Sequence, residues 1–273
     1  MTESAPAGPT TSRRVRFWDG EALVDQTQSL IGEEPLSIRI GGNPYSVVMR
    51  TPGDEIAHVA GFCLGEGIAD APEDLASVAF CDGADTNVVA VTLTSARRER
   101  VADHLDRRNY ISQTSCGLCG KEMVDELRTV LRPVTADLKV SLDAARGLLE
   151  NLADLQPLRR ETRAVHAAAI YDRDLGLLSV AEDVGRHNAL DKAVGRLFLD
   201  GRLGEAAVLV LSSRISYELV QKAARARIPV IVAVSRPTSL AVALATELNM
   251  TLACRAGKGR LNIFCGGHRL TDS

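Results

Sequence analysis

From Thr162 onward, short unbroken apolar runs alternate with amphipathic stretches. Ala164-Val-His-Ala-Ala-Ala-Ile-Tyr, Leu177 to Val180, Ala207-Val-Leu-Val-Leu and Pro229-Val-Ile-Val-Ala-Val read as strands. Runs of Val, Ile and Leu with no polar alternate mark strands covered on both faces. Val184 to Leu199, Ser216 to Arg225 and Thr238 to Leu248 read as the helices between them, the last capped by Thr238, and Leu261 to Phe264 closes the sheet. This alternation predicts a mostly parallel, three-layer α/β domain. Before Thr162 the texture is different. Arg14 to Gln28 and Pro35 to Arg50 read as strands, the second folding on itself at a Gly-Asn turn. Glu55 to Gly65 reads as a helix capped by Asp54, Ser77 to Phe80 and Asn87 to Leu93 as strands, and Arg98 to Arg108 as a polar helix. Lys121 to Leu131 is amphipathic and stops before Pro133, and Ser141 caps a helix running to Leu152.

These elements predict an α/β fold, α+β overall, in four parts. Residues 1–13 are a disordered tail, 14–135 a smaller N-terminal α+β domain, 136–160 a helical connector and 161–273 the C-terminal α/β domain. Composition adds exclusions. The 273 residues carry a net charge of −3, so no global basic field draws in nucleic acid. No apolar run reaches the roughly 20 residues that span a bilayer, and the opening residues lack the apolar core of a secretory leader. The expectation is a cytoplasmic protein with reduced thiols, in which six cysteines serve reactivity or metal binding rather than a disulfide framework.

The densest chemistry lies in Thr114-Ser-Cys-Gly-Leu-Cys-Gly, a loop ahead of the amphipathic helix at Lys121. A thiolate, not a thiol, is the nucleophile, and a Cys-x-x-Cys pair before a helix N-terminus favours the thiolate. Three readings of Cys116 and Cys119 are open. Structural zinc wants a second pair, but Cys63, Cys81, Cys254 and Cys265 are single. A thioredoxin-type redox site belongs after the first strand of a βαβ unit, and this motif sits mid-chain. The third reading is a sulfur relay through a persulfide.

A second group of residues gathers at predicted strand ends. Ser213 and Arg214 follow one strand, Ser235, Arg236 and Thr238 the next, and Cys254, Arg255, Ala256, Gly257, Lys258 and Gly259 a third. Open α/β sheets bind ligands at the carboxyl ends of their strands, and hydroxyls beside arginines suit phosphates. Ordinary helix capping explains one hydroxyl per loop but not the arginine beside it. Glu182-Asp-Val-Gly-Arg-His-Asn-Ala-Leu-Asp-Lys reads either as a capped, salt-bridged helix start or as a ligand site. The spacing sets Arg186, Asp191 and Lys192 near one another, and the density of donors at Arg186 and His187 favours the ligand. Together these loops predict a large anion, a nucleotide or pyrophosphate. His166 invites comparison with zinc deaminases, but Ala168 stands where their general acid/base glutamate belongs, and no Pro-Cys-x-x-Cys follows.

The assembled segments resemble the FdhD family of formate dehydrogenase accessory sulfurtransferases. They are Met49-Arg-Thr-Pro-Gly-Asp, Ala60-Gly-Phe-Cys-Leu-Gly-Glu-Gly-Ile, Thr114-Ser-Cys-Gly-Leu-Cys-Gly, Val165-His-Ala-Ala, the Glu182 to Lys192 string, Ser213-Arg-Ile-Ser-Tyr-Glu-Leu-Val-Gln-Lys and Ser235-Arg-Pro-Thr-Ser-Leu-Ala. The resemblance implies a C-terminal domain like the cytidine deaminase fold without its zinc chemistry and with no intrinsic metal. It implies that a cysteine desulfurase loads sulfur as a persulfide on Cys116, with Cys119 assisting. The sulfur then passes to the bis-molybdopterin guanine dinucleotide cofactor of formate dehydrogenase. That cofactor is held as substrate by the α/β domain, including the loop Cys254 to Gly259, and a GDP-like nucleotide mimics it. A homodimer is implied as well, while charge and hydropathy predict no nucleic-acid or membrane partner. The alternative in the same context is a non-catalytic carrier or chaperone of the molybdenum cofactor.

Overall fold

The computed structural model describes residues 8–82, 85–108, 131–257 and 259–272. The Cys116–Cys119 pair, Lys258 and, apart from Leu131, the helix expected at Lys121 to Leu131 lie outside these residues.

The chain opens with a two-stranded antiparallel ribbon, β1 (Thr10–Trp18) and β2 (Leu23–Ile31). Asp19 turns the chain between them, its carboxylate accepting from the amides of Glu21 and Ala22, both at 2.9 Å. The single strand expected over Arg14 to Gln28 is therefore a hairpin, and it begins within the segment expected to be a disordered tail. Asp19-Gly-Glu is a turn signal, and the paired strand supplies the backbone partners that a low-complexity composition hides.

Next comes a four-stranded sheet in the order β4-β3-β6-β5, from β3 (Glu34–Ile40), β4 (Asn43–Arg50), β5 (Leu75–Asp82) and β6 (Asp85–Leu93). The β3–β4 turn is Gly41-Gly42, one residue earlier than Gly-Asn. Both glycines have positive φ, 59° and 87°, as a two-residue hairpin turn requires. Helix α1 (Glu55–Gly65) follows β4, and α2 (Ser95–Arg108) follows β6. Asp54 precedes α1 but makes no side-chain cap; its carboxylate pairs instead with Arg196.

The second sheet has six strands in the order β13-β12-β11-β10-β8-β9. They are β8 (His166–Tyr171), β9 (Leu177–Asp183), β10 (Val208–Leu211), β11 (Val230–Ala233), β12 (Thr251–Arg255) and β13 (Leu261–Cys265). The remaining strands, β7 (Val140–Ser141) and β14 (Leu270–Thr271), pair only with each other. Helix α3 (Leu142–Asn151) is capped by Ser141, whose hydroxyl accepts from the Ala144 amide, and α4 (Pro157–Thr162) leads into β8. Helices α5 (Arg186–Leu199), α6 (Tyr217–Arg225) and α7 (Ser239–Glu247) connect the sheet strands. The α/β expectation holds in its layers but not in its pairing. Only β10–β11 and β11–β12 are parallel; β8–β9, β8–β10 and β12–β13 are antiparallel. The parallel pairs have helices for crossovers, whereas Asp172–Gly176 is a tight turn and the Ala256 amide donates to the Arg260 carbonyl across the short link between β12 and β13, so both links reverse the chain.

Successive residues of the central strands face opposite ways, as period-2 geometry demands. Ala168, Ile170, Leu209, Leu211, Ile231, Ala233, Leu252 and Cys254 pack toward α5, α6 and α7. That same core runs on through Val59, Phe62 and Leu64 of α1 to Leu36, Ile38, Val89 and Val91 of the four-stranded sheet. On the other face Ala167, Ala169, Val208, Val210, Val230, Val232 and Ala253 meet Ala145, Leu148 and Leu149 of α3. Two glycines let α1 and α5 touch backbone to backbone. A Cβ on Gly61 would lie 2.0 Å from the Asp191 carbonyl oxygen, and one on Gly195 1.7 Å from that of Ala57.

Candidate functional site

Because β10, β11 and β12 run parallel, the loops after them emerge at one edge of the sheet. Antiparallel β8 brings its first residue, His166, to the same edge, and β9 delivers the N-terminus of α5 beside it. The expected convergence of Ser213–Arg214, Ser235–Arg236–Thr238 and Cys254–Gly257 on one edge is thus a consequence of topology. Ser212 fastens the first loop to β8: its hydroxyl accepts from the Ala167 amide at 2.8 Å, and its amide donates to the Ala167 carbonyl at 3.1 Å. The buried Ile215 fastens it to the second loop, donating to the Arg236 carbonyl and accepting from the Thr238 amide at 3.0 Å.

Basic groups crowd this edge. Burial lowers the His166 imidazole below its ordinary value, and Arg186, Arg159, His187 and Arg214 push it the same way, so the ring is neutral among cations. Burial, and then the neighbouring Arg214, also depress Arg186, against the pull of Glu218. Nδ1 of His166 and Nε of Arg186 are buried and find no partner among the described residues. Orphaned polar atoms are uncommon and expensive, and here they share a site with excess positive charge, which suits an anion with several oxygens. His187 is tied down differently. Its Nε2 lies 2.9 Å from Glu218 Oε2 and 3.1 Å from Ser216 Oγ. The His187 bond holds the Glu218 carboxyl below its ordinary value in spite of burial.

Not every expected ligand faces this cluster. Thr238 caps α7, accepting from the Ala241 amide at 3.2 Å. Ser213 is buried and donates to the Arg214 carbonyl. Cys254 is fully buried with its thiol pushed up by burial, while Arg255 turns to the Leu149 carbonyl on the α3 face. Ser235, Arg214 and Arg236 are exposed on the loops, and Ala256, Gly257 and Gly259 form the β12–β13 turn, with the two glycines at φ 121° and 68°.

The Glu182 to Lys192 string splits in two. Arg186 and His187 face the basic edge, whereas Asp183, Asn188, Asp191 and Lys192 are buried and structural. Asp183 accepts from the amides of Gly185 and Thr51 and from Asn188, and pairs with Lys192 at 2.7 Å. Lys192 also donates to the Thr51 carbonyl and Asn188 to that of Met49. Asp191 pairs with Lys222 through both oxygens at 2.8 Å. So Arg186, Asp191 and Lys192 do not cluster: consecutive helical positions point about 100° apart, and each finds its partner on a different element.

Sequence reading missed Arg159 and Glu218, and gave Ser216 only as part of the strand-end loop. Arg159 comes from α4, whose first amides, those of Leu158 and Arg159, are capped by the Glu182 carboxylate. Nothing local marks Arg159, and the motif holding Ser216 and Glu218 does not say what they touch; only the meeting of α4, β8, α5 and α6 gives them a role. Among the described residues no three His, Cys, Asp or Glu side chains converge as metal ligands, and no helix is long and apolar enough to cross a membrane.

Comparison with known proteins places the chain in a family and supports its fold. A sulfur carrier protein FdhD of Streptomyces coelicolor is 41% identical over 275 residues, covering 96% of this chain and 96% of that protein. One of the same name from Mycobacterium tuberculosis is 37% identical and covers 96% of this chain and 99% of its own. A crystal structure from Desulfotalea psychrophila, described as that of a candidate formate dehydrogenase accessory protein, superimposes with a TM-score of 0.76 over 96% of this chain and 99% of that one. At 23% identity it speaks for the fold. The profile of the FdhD/NarQ family matches residues 31–271, nearly the whole described chain, and this protein belongs to that family.

Proposed function

We propose that this protein is a sulfur carrier that takes sulfur as a persulfide on Cys116 and passes it to a bis-molybdopterin guanine dinucleotide cofactor destined for formate dehydrogenase. The names of its relatives support the carrier role. The observation that supports the cofactor as substrate is the basic edge, where Arg186 Nε and His166 Nδ1, without partners among the described residues, lie among Arg159, His187 and Arg214. In the loading step the Cys116 thiolate attacks the terminal sulfur of a desulfurase persulfide. A new S–S bond forms, the old one breaks, and the donor cysteine leaves as a thiolate. Cys119, two residues on from Gly117, assists the transfer. The working form is a cytoplasmic homodimer.

Mass spectrometry after incubation with cysteine and a cysteine desulfurase should find one added sulfur on Cys116. Cys116→Ala should lose that sulfur and fail to activate sulfur-deficient formate dehydrogenase. Activation that survives loss of both cysteines would instead identify a carrier or chaperone of the cofactor that does not handle sulfur.

A further inference from the structure

Glu218 is an anomaly at this edge. A carboxylate among four basic side chains repels any anionic ligand, so on charge alone it should weaken the site. Its contacts explain its presence. It lies in the first turn of α6, where acidic side chains ordinarily serve the helix N-terminus. Instead its Oε2 is 2.9 Å from His187 Nε2. Ser216, the N-cap residue of α6, makes no side-chain cap either; its hydroxyl is 3.1 Å from the same nitrogen. Two residues that usually serve their own helix have both been turned onto one imidazole of α5. The groups around that ring are Glu218 and Ser216 from α6, His166 from β8, and Arg186 and Asp191 on its own helix.

We propose that Glu218, seconded by Ser216, is a positioning residue for the anion site: it accepts the Nε2 proton of His187 and so fixes the ring beside Arg186 and His166. This rests on reading the edge as the site for the phosphates of a guanine nucleotide. A bonded ring loses less rotamer freedom on meeting a ligand, and that gain offsets the repulsion Glu218 brings.

Charge and positioning predict opposite signs, which makes the test sharp. GDP binding is measured by calorimetry at constant pH and salt for the wild type, Glu218→Ala, Glu218→Gln, His187→Ala and the double alanine variant. Positioning predicts that Glu218→Ala binds GDP on the order of 5- to 10-fold more weakly, in the range typical of coupled neighbours. Glu218→Gln, whose amide oxygen still accepts from Nε2, restores wild-type affinity or better. The double variant binds no more weakly than His187→Ala alone. Tighter binding by Glu218→Ala, additive losses in the double variant, or an unchanged Glu218→Ala with normal wild-type binding would each overturn the positioning role and leave the anion site standing. Absence of GDP binding by the wild type would remove the anion site, and this inference with it.

Discussion

His58 sits fully buried on α1 within reach of Lys192, Lys222 and Arg50. Burial, and then these cations, hold its imidazole well below the ordinary value of 6.5. The folded protein therefore refuses a proton that the unfolded chain accepts. Stability from this residue is complete above the unfolded value and is lost as pH falls below about 6.5. Asp191 works the other way at lower pH. Burial raises its carboxyl to about 6 against the pull of Lys222, so the folded state takes up a proton first and recovers stability below that point. Urea unfolding midpoints should thus fall as pH drops from 7 toward 6, and His58→Gln should flatten that fall. An unchanged slope in the variant would show that His58 is not its source. His58 was unreadable in the sequence because a histidine on an apolar helix has no local sign of what faces it.

At the scale of elements, the α1–α5 contact decides how the two sheets share one core. Gly61 and Gly195 are needed there for space, not for unusual backbone angles, since both lie within helices. Gly195→Ala would place a methyl 1.7 Å from a carbonyl oxygen, so the helices must part. We expect a loss of about 2–3 kcal/mol in chemical denaturation, the upper part of the range for overpacking. A loss within about 0.5 kcal/mol, as at an indifferent surface site, would mean that the helices are not in close contact. The elements themselves were largely legible. Unbroken apolar runs gave β8, β10 and β11, and Ser141 and Thr238 announced α3 and α7. The direction of β8 was not, because an apolar run buried on both faces looks the same in parallel and antiparallel pairing.

For the molecule as a whole, net charge misleads. The chain carries −3 overall, yet one sheet edge gathers Arg159, Arg186, His187 and Arg214 around His166. Salt screens the attraction of such a patch for anions. Arg214→Gln should weaken GDP binding about tenfold at low salt and make it less sensitive to added salt, as followed by calorimetry across a salt series. Equal salt dependence in both proteins would place the bound phosphates elsewhere.

The sequence by itself determined most strands and helices of the second half and the family, but not β12, where Cys254 and Arg255 lie in a strand rather than the expected loop. It could do so because periodicity, capping and motif order are properties of neighbouring residues. Only the tertiary structure decided which residues of the Glu182 to Lys192 string face the basic edge and which are locked inside. Successive helical side chains fan around an axis, so one string feeds several partners at once. The tertiary structure also buried Cys254, turned Arg255 to α3 and brought Arg159 and Glu218 to the basic edge. Each outcome depends on contacts between residues distant in the chain, which no local pattern encodes.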